Sequence, residues 1–260
     1  MTQTIDAYTT ISRVYRLMLN TKQFFAHEAD IIQTIIRQEF SGRPLRILDA
    51  ACGTGDVMSL LSADAPLNIQ GLDGSQSMLS IALADPRLSG VSLSRCRWEQ
   101  IGTYFKRYGR FDMIYLLGNS ISHIQNVQAL QALVNDCQAF LNPGGLLVFD
   151  IRNWSLEDGL LREKDRRPYS DDGEFSDGER TYHVSEKVGY DDETVRQVIE
   201  YEIVDGDKIH RPVVSYLMML PEDALQLLKD SGFEARIHSR PIKYYWSYTV
   251  LVGKKLQANH

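Results

Sequence analysis

Cysteine is scarce in this 260-residue chain. Only Cys52, Cys96 and Cys137 occur, with no CxxC pair and no even framework. A disulfide scaffold is thereby excluded, and a reducing cytoplasm is the expected compartment. Long apolar runs are missing too. Nothing approaches the ~18–20 residues of a membrane span, and the start, MTQTIDAYTT, lacks the basic flank and apolar core of a secretion signal. There is no basic excess: 28 Lys and Arg stand against 34 Asp and Glu, for a net charge of −6. That balance argues against a nucleic-acid partner. The six histidines are scattered, without HxxxH or HExxH spacing, so no metal is implied. Internal repeats and low-complexity tracts are also missing.

What is present is an alternating pattern. Residues 3–40 carry Ile5, Tyr8, Ile11, Tyr15, Leu19, Ile31, Ile32, Ile35 and Ile36 at near-helical spacing, which predicts two helices. The breakers Ser41-Gly42-Arg43-Pro44 end that region. Short apolar runs follow at 45–51, 67–72, 111–117 and 146–152, with a weaker one at 91–97. Helical patterns separate them at 55–63, 75–84 and 124–140. Strand alternating with helix predicts a mostly parallel sheet covered on both faces. Residues 157–180, rich in charge, Gly, Pro and Ser, read as a loop. Strand-like runs then appear at 181–190, 195–204 and 209–218, the last two turning at Asp205-Gly206-Asp207. Pro221 opens a helix that Gly232 closes, and two more strands follow near 233–239 and 245–253. The expected organisation is an N-terminal helical cap (1–40), a core (41–152 and 219–260) and a lid or small β-rich insertion (153–218).

The most informative segment is Ile47-Leu48-Asp49-Ala50-Ala51-Cys52-Gly53-Thr54-Gly55-Asp56: a buried strand, a glycine turn, then a helix. Glycine lets the backbone take positive φ and lets a ligand approach the main chain. Met58 stands where a dinucleotide fingerprint needs its third glycine, and no GK[ST] phosphate loop follows. Asp49 at the strand end would repel a pyrophosphate and suit a cationic ligand such as the ammonium and sulfonium of S-adenosylmethionine. It could equally stabilise the turn. Asp73, at the tip of the second strand and about twenty residues on, is placed to take ribose hydroxyls. Its other reading is a helix N-cap, a role Ser75 could fill instead.

DAACGTG followed by GLDGSQSML resembles motifs one and two of the class I S-adenosylmethionine-dependent methyltransferases, firmly over 45–152 and loosely elsewhere. The resemblance implies a Rossmann-like α/β fold with a seven-stranded sheet, and S-adenosyl-L-methionine as cofactor with S-adenosyl-L-homocysteine as product. It implies that Ala51, Gly53 and Gly55 line the methionine end, that Asp73 holds the ribose and that Met78 packs on adenine. Trp98 matches a position that flanks adenine, and is otherwise a core residue.

Strand four ends in Leu116-Leu117-Gly118-Asn119-Ser120-Ile121-Ser122-His123. It lacks the Asn/Asp-Pro-Pro-aromatic segment of nucleobase amine methylation and the Pro-Cys of base carbon methylation. With NPGGLLVFDIRNW it resembles the glycine/sarcosine N-methyltransferase group. That resemblance implies a small-molecule acceptor touched by Asn119, clamped by Arg152, and surrounded by His123, Tyr182 and Tyr216, with Leu117 against the cofactor. Tyr8 and Tyr15 are placed to close over the cofactor. A guanidinium at a strand end suits a carboxylate bidentately; an internal ion pair is the other reading of Arg152. His123 has a structural reading too, bonded near a helix start. The N-terminal segment, which carries oligomerisation in the glycine group, departs from the family, so a homo-oligomer stays open. So do O-methylation, heterocycle N-methylation and a sensor that binds the cofactor without turnover.

Overall fold

The computed structural model describes residues 2–19, 21–61, 67–152, 170–243 and 247–257. Two amphipathic helices, α1 (Thr2–Met18) and α2 (Thr21–Glu39), precede an alternating unit. The unit runs β1 (Leu45–Asp49), α3 (Asp56–Leu61), β2 (Leu67–Asp73), α4 (Gln76–Leu83), β3 (Ser92–Arg95), α5 (Ile101–Tyr108), β4 (Phe111–Leu116), α6 (Val127–Phe140) and β5 (Leu141–Arg152). Next come β6 (Ser170–Ser176), β7 (Thr181–Asp191), β8 (Arg196–Asp205), β9 (Lys208–His210) and β10 (Val213–Leu217). The chain closes with α7 (Pro221–Asp230), β11 (Phe233–Lys243) and β12 (Ser247–Lys255).

The main sheet has the order β11-β12-β5-β4-β1-β2-β3. Strands β1 to β5 pair in parallel, and β12 runs antiparallel between β5 and β11. Every residue of β4 is buried. A continuous apolar run is what a strand covered on both faces requires. One face packs Phe105, Leu133 and Leu228 from α5, α6 and α7 against Ile114 and Phe149. The other packs Ile32, Met58 and Leu79 from α2, α3 and α4 against Ile47, Met113 and Val148.

A second, antiparallel sheet has the order β10-β8-β7-β6, with β9 on β8. Its apolar face takes Ala7, Ile11 and Val14 of α1 against Tyr182, Ile199 and Val214. The first helix is thus sandwiched into the molecule rather than appended to it.

Three sequence readings change. Within 157–180, residues 157–169 lie outside the described residues, but Ser170–Ser176 is a strand paired with β7. Backbone pairing holds it despite a sequence too polar to announce a strand. The run at 209–218 is two short strands separated by Arg211-Pro212, because proline has no N–H to give a ladder. Finally, α5 was not expected. Its buried residues Ile101, Tyr104 and Phe105 fall at i, i+3, i+4, a stripe only two turns long.

Candidate functional site

The strand order reverses at β1, with β2 on one side and β4 on the other. Loops leaving the carboxyl ends of β1 and β4 diverge and open a crevice there. The loop after β1 is tightly wound. Cys52 N donates to Leu72 O at 2.8 Å and Gly55 N to Cys52 O at 2.8 Å. Its two glycines do different work. A Cβ on Gly55 (φ +78°) would lie 2.4 Å from Leu88 Cδ1, so this glycine permits packing. Gly53 (φ +52°) faces open space, leaving its backbone accessible.

Asp73 ties this loop to the next. Its Oδ2 accepts from Gly53 N at 2.8 Å and its Oδ1 from Ser75 N at 2.7 Å. The N-cap of α4 is Ser75, whose hydroxyl accepts from Met78 N. With one protein donor on each oxygen, the carboxylate keeps acceptor capacity on both. Asp73 lines a cleft of about 690 Å³ together with Met78, Trp98, Tyr8, Tyr15 and His123. Ala51 and Gly53 form part of its floor. Trp98 also donates its indole N–H to Ala50 O at 2.8 Å, locking the glycine loop from the side.

A second hollow of about 370 Å³ adjoins the first and shares Tyr15, Ala51, Gly53 and Ser120 with it. Its distinctive lining is Glu28, Asp49, Tyr115, Leu117 and Gly118. Burial pushes Asp49 up to about 7, against the opposing pull of Ala51 N–H and the Tyr115 hydroxyl. Glu28, buried on α2, is held well above the ordinary carboxyl range, chiefly by desolvation and then by repulsion from Asp150 and Asp49. Asp150 is raised by burial as well, although Gly118 N and Asn119 N donate to it at 3.2 and 2.7 Å.

On the other side, the Tyr8 hydroxyl meets Nε2 of His123 at 2.8 Å, and Nδ1 of His123 faces Ser215 O at 3.3 Å. Burial lowers the His123 pKa to about 4, with Arg152 and Arg196 adding to the effect. Tyr216 packs against His123 at 4.6 Å between ring centres, and the Arg152 guanidinium lies 4.6 Å from the centre of the same tyrosine ring. Arg152 Nη1 donates to Gln197 Oε1 at 2.7 Å. Asn119, left-handed at φ +58°, accepts from Arg152 N and Ser122 Oγ through its Oδ1, fixing the end of β5.

Of the residues singled out by sequence, the structure gathers Asp49, Ala51, Gly53, Asp73, Met78, Trp98, Leu117, Tyr15 and His123 onto the two adjoining hollows. Arg152, Tyr216 and Asn119 form a layer behind His123. Gly55 is packed beneath the loop, and Tyr182 is buried between the second sheet and α1. Sequence reasoning missed Glu28, Asp150 and Gln197. Glu28 left a signal: an acid on the stripe Phe25, Ala29, Ile32 and Ile35 that α2 buries. Gln197 left none, being one glutamine in a strand of mixed pattern.

Residues 47–145 match a family described as "Methyltransferase domain". The glycine/sarcosine N-methyltransferase of Halorhodospira halochloris is 29% identical over 195 residues, 73% of this chain and 65% of that protein. The glycine N-methyltransferase of Mus musculus is 29% identical over 120 residues, 42% of this chain and 41% of that one. The matched part thus spans less than two thirds of either relative's length. Among solved structures, an S-adenosylmethionine-dependent methyltransferase of Clostridium acetobutylicum aligns over 96% of this chain and 99% of its own, with a TM-score of 0.70 at 19% identity. The sugar N-methyltransferase KedS8 of Streptoalloteichus aligns over 94% and 93%, with a TM-score of 0.73 at 22% identity. The reversed sheet order, the glycine loop tied to Asp73 and the matched segment meet on one chain, which has the fold of S-adenosylmethionine-dependent methyltransferases and carries a methyltransferase domain over residues 47–145.

Proposed function

We propose that the chain is an enzyme that moves a methyl group from S-adenosylmethionine to the nitrogen of an amino acid or other small amine. The observation that carries this reading is the Asp73 carboxylate. It is clamped to the glycine loop, faces the larger cleft, and adjoins a smaller hollow lined by buried acids. The residues fit the cofactor. Asp73 offers acceptors to ribose hydroxyls, Met78 and Trp98 offer apolar surface to a base, and Glu28 and Asp49 offer negative charge to a cationic amino-acid end.

When bound, S-adenosylmethionine supplies a methyl carbon already activated by its sulfonium. What this chain must add is position, a contribution of about 7–11 kcal/mol in favourable cases. Tyr8 and His123 line the cleft on the side of the second sheet, where an acceptor would enter. His123, with its low pKa, is neutral near pH 7, so it brings no competing positive charge to the cleft. Behind it, Arg152 and Gln197 form a polar layer suited to an acceptor carboxylate. No strong base is needed when the amine arrives deprotonated; the proton left on the methylated nitrogen can go to solvent after transfer.

The names of the relatives suggest the acceptors to try: glycine and sarcosine first, then an amino sugar. Isothermal titration with S-adenosylmethionine and S-adenosylhomocysteine, repeated on Asp73→Ala, tests the cofactor. Binding that the substitution abolishes supports the reading, and a native protein that binds neither ligand overturns it. A methyl-transfer assay over glycine, sarcosine, heterocyclic amines and amino sugars then tests the acceptor class. Cofactor binding with no turnover on any of them would favour a sensor.

A further inference from the structure

Glu28 is an expensive residue where it stands. It lies on α2 with a relative exposure of 6%, and its Oε1 is buried with no hydrogen-bond partner among the described residues. A buried carboxyl left in this way loses its hydration without full compensation. The groups that press on it are unfavourable: Asp150 at the end of β5 and Asp49 at the end of β1. From α1 and β4 it is faced by the phenols of Tyr15 and Tyr115, each of which feels its charge. The backbone N–H of Gly118 is a donor toward it. These acids do not form a metal site: among the described residues no group of three His, Cys, Asp or Glu is arranged to hold a metal ion. The orphaned oxygen instead belongs to a carboxyl on the wall of the smaller hollow, the one continuous with the Asp73 cleft.

We propose that Glu28 binds the cofactor, its free carboxylate oxygen accepting from the ammonium of the methionine moiety while Asp49 supplies a second negative charge. The inference rests on the cofactor reading above and adds a residue from outside the 47–145 domain. The N-terminal helices then complete the binding site rather than only covering it. Such a site distinguishes ligands with an amino-acid end from those without one. It is also coupled to protons. Burial and its acidic neighbours favour the protonated form of Glu28, and an arriving ammonium favours the ionised form.

The test titrates S-adenosylhomocysteine and 5′-methylthioadenosine, which keeps the nucleoside and thioether but has no amino-acid end, into native protein, Glu28→Gln and Asp73→Asn. Glutamine keeps the shape of the side chain. Glu28→Gln should weaken S-adenosylhomocysteine about tenfold or more and leave methylthioadenosine within about twofold. Asp73→Asn should weaken both. An unchanged affinity for S-adenosylhomocysteine in Glu28→Gln, or an equal loss for both ligands, overturns the assignment while leaving the cofactor reading intact. Failure of the native protein to bind S-adenosylhomocysteine or S-adenosylmethionine would instead remove the cofactor reading itself. Should Glu28→Gln not fold, the native protein still decides. Its affinity for S-adenosylhomocysteine should fall from pH 8 to pH 6 while that for methylthioadenosine stays level, and parallel profiles overturn the proposal.

Discussion

Tyr8 and His123, 115 residues apart, share a 2.8 Å hydrogen bond whose direction can be assigned. Nδ1 of His123 faces the Ser215 carbonyl, which can only accept, so Nδ1 carries the proton. Nε2 is then the acceptor and the Tyr8 hydroxyl the donor. With a pKa near 4, the ring should stay neutral through the working range. An NMR titration should show the His123 ring resonances level from pH 8 to about pH 5. A midpoint at 6.5 would mean that the ring is solvated and the pair broken. Tyr8→Phe removes the donor that holds the Nε2 lone pair and should move the His123 midpoint upward, with cofactor affinity little changed.

The buried acids and the buried histidine push stability in opposite directions with pH. His123 has a folded pKa near 4 against an ordinary 6.5. The unfolded chain therefore takes up a proton as pH falls through this window, and acid destabilises the fold. Asp49, at about 7 against 3.8, behaves in the reverse way. The folded chain holds a proton that the unfolded chain has released, so stability is present at low pH and lost as pH rises through 7. Glu28 and Asp150 are raised too and act with Asp49. Asp73 is raised by burial as well, and these four acids outweigh the buried histidine. The Tm of the ligand-free protein should fall between pH 5.5 and pH 8, by on the order of 5 °C. Calorimetry on native protein and Asp49→Asn checks this, and the variant should show a shallower decline.

Much of this arrangement was legible in the chain, for reasons that differ by element. The central strands announced themselves because burial on both faces demands unbroken apolar runs, as in Phe111–Leu116. The glycine loop and its tie to Asp73 were legible because Gly53, Gly55 and Asp73 act through backbone conformation and a fixed spacing, both local in sequence. The layer around His123 and Arg152 was less so. His123 meets Tyr8, Ser215 and Tyr216, and Arg152 meets Asn119, Gln197 and Tyr216, across three separate elements. No spacing rule connects them. Glu28 fell between these cases: its place on the apolar stripe of α2 was visible, but the hollow it faces is made by β1 and β4.

The two glycines of the loop after β1 should respond differently to alanine. Gly53→Ala places a methyl in open space and incurs only the left-handed backbone strain, about 1 kcal/mol. Gly55→Ala incurs that strain and also drives its Cβ against Leu88 Cδ1 and Ala82 Cβ, adding about 1–3 kcal/mol of overpacking. Urea unfolding should rank Gly55→Ala as the more destabilised. The double variant with Leu88→Ala should recover part of the difference, because the nearer clash is with a side-chain end. Equal losses would show that the loop relaxes around Gly55.

Arg16 fastens the last turn of α1 to the glycine-loop side of the cleft. It donates from Nε to Asp56 Oδ2 at 2.8 Å and from Nη2 to Thr54 O at 2.9 Å, and it approaches Asp85 Oδ2 at 3.4 Å. The helix it anchors carries Tyr8 and Tyr15 over the cleft. Arg16 is partly exposed, so its removal should change folding stability by about 1 kcal/mol or less. Its larger effect should be on ligand exchange. Arg16→Gln should release S-adenosylhomocysteine several times faster in stopped-flow measurements, and added salt should speed release from native protein more than from the variant. Identical off-rates would mean that α1 does not have to move for the ligand to leave.

Arg152 separates the two kinds of acceptor. Its guanidinium is held by Gln197 and by the face of Tyr216 behind His123, a setting in which it can fork onto a carboxylate. If the acceptor is an amino acid, Arg152→Ala should raise its KM about 100-fold while cofactor affinity stays within about twofold. Arg152→Lys should recover little of this, since a point charge does not replace the fork. If the acceptor is an amino sugar or another amine without a carboxylate, the same substitutions should touch KM only mildly and act through the packing of Tyr216, with lysine and alanine alike. The split between KM and cofactor Kd matters because Arg152 also donates its backbone N–H to Asn119. That bond survives every side-chain substitution, so the end of β5 stays fixed, and a selective loss of acceptor affinity can be charged to the guanidinium alone.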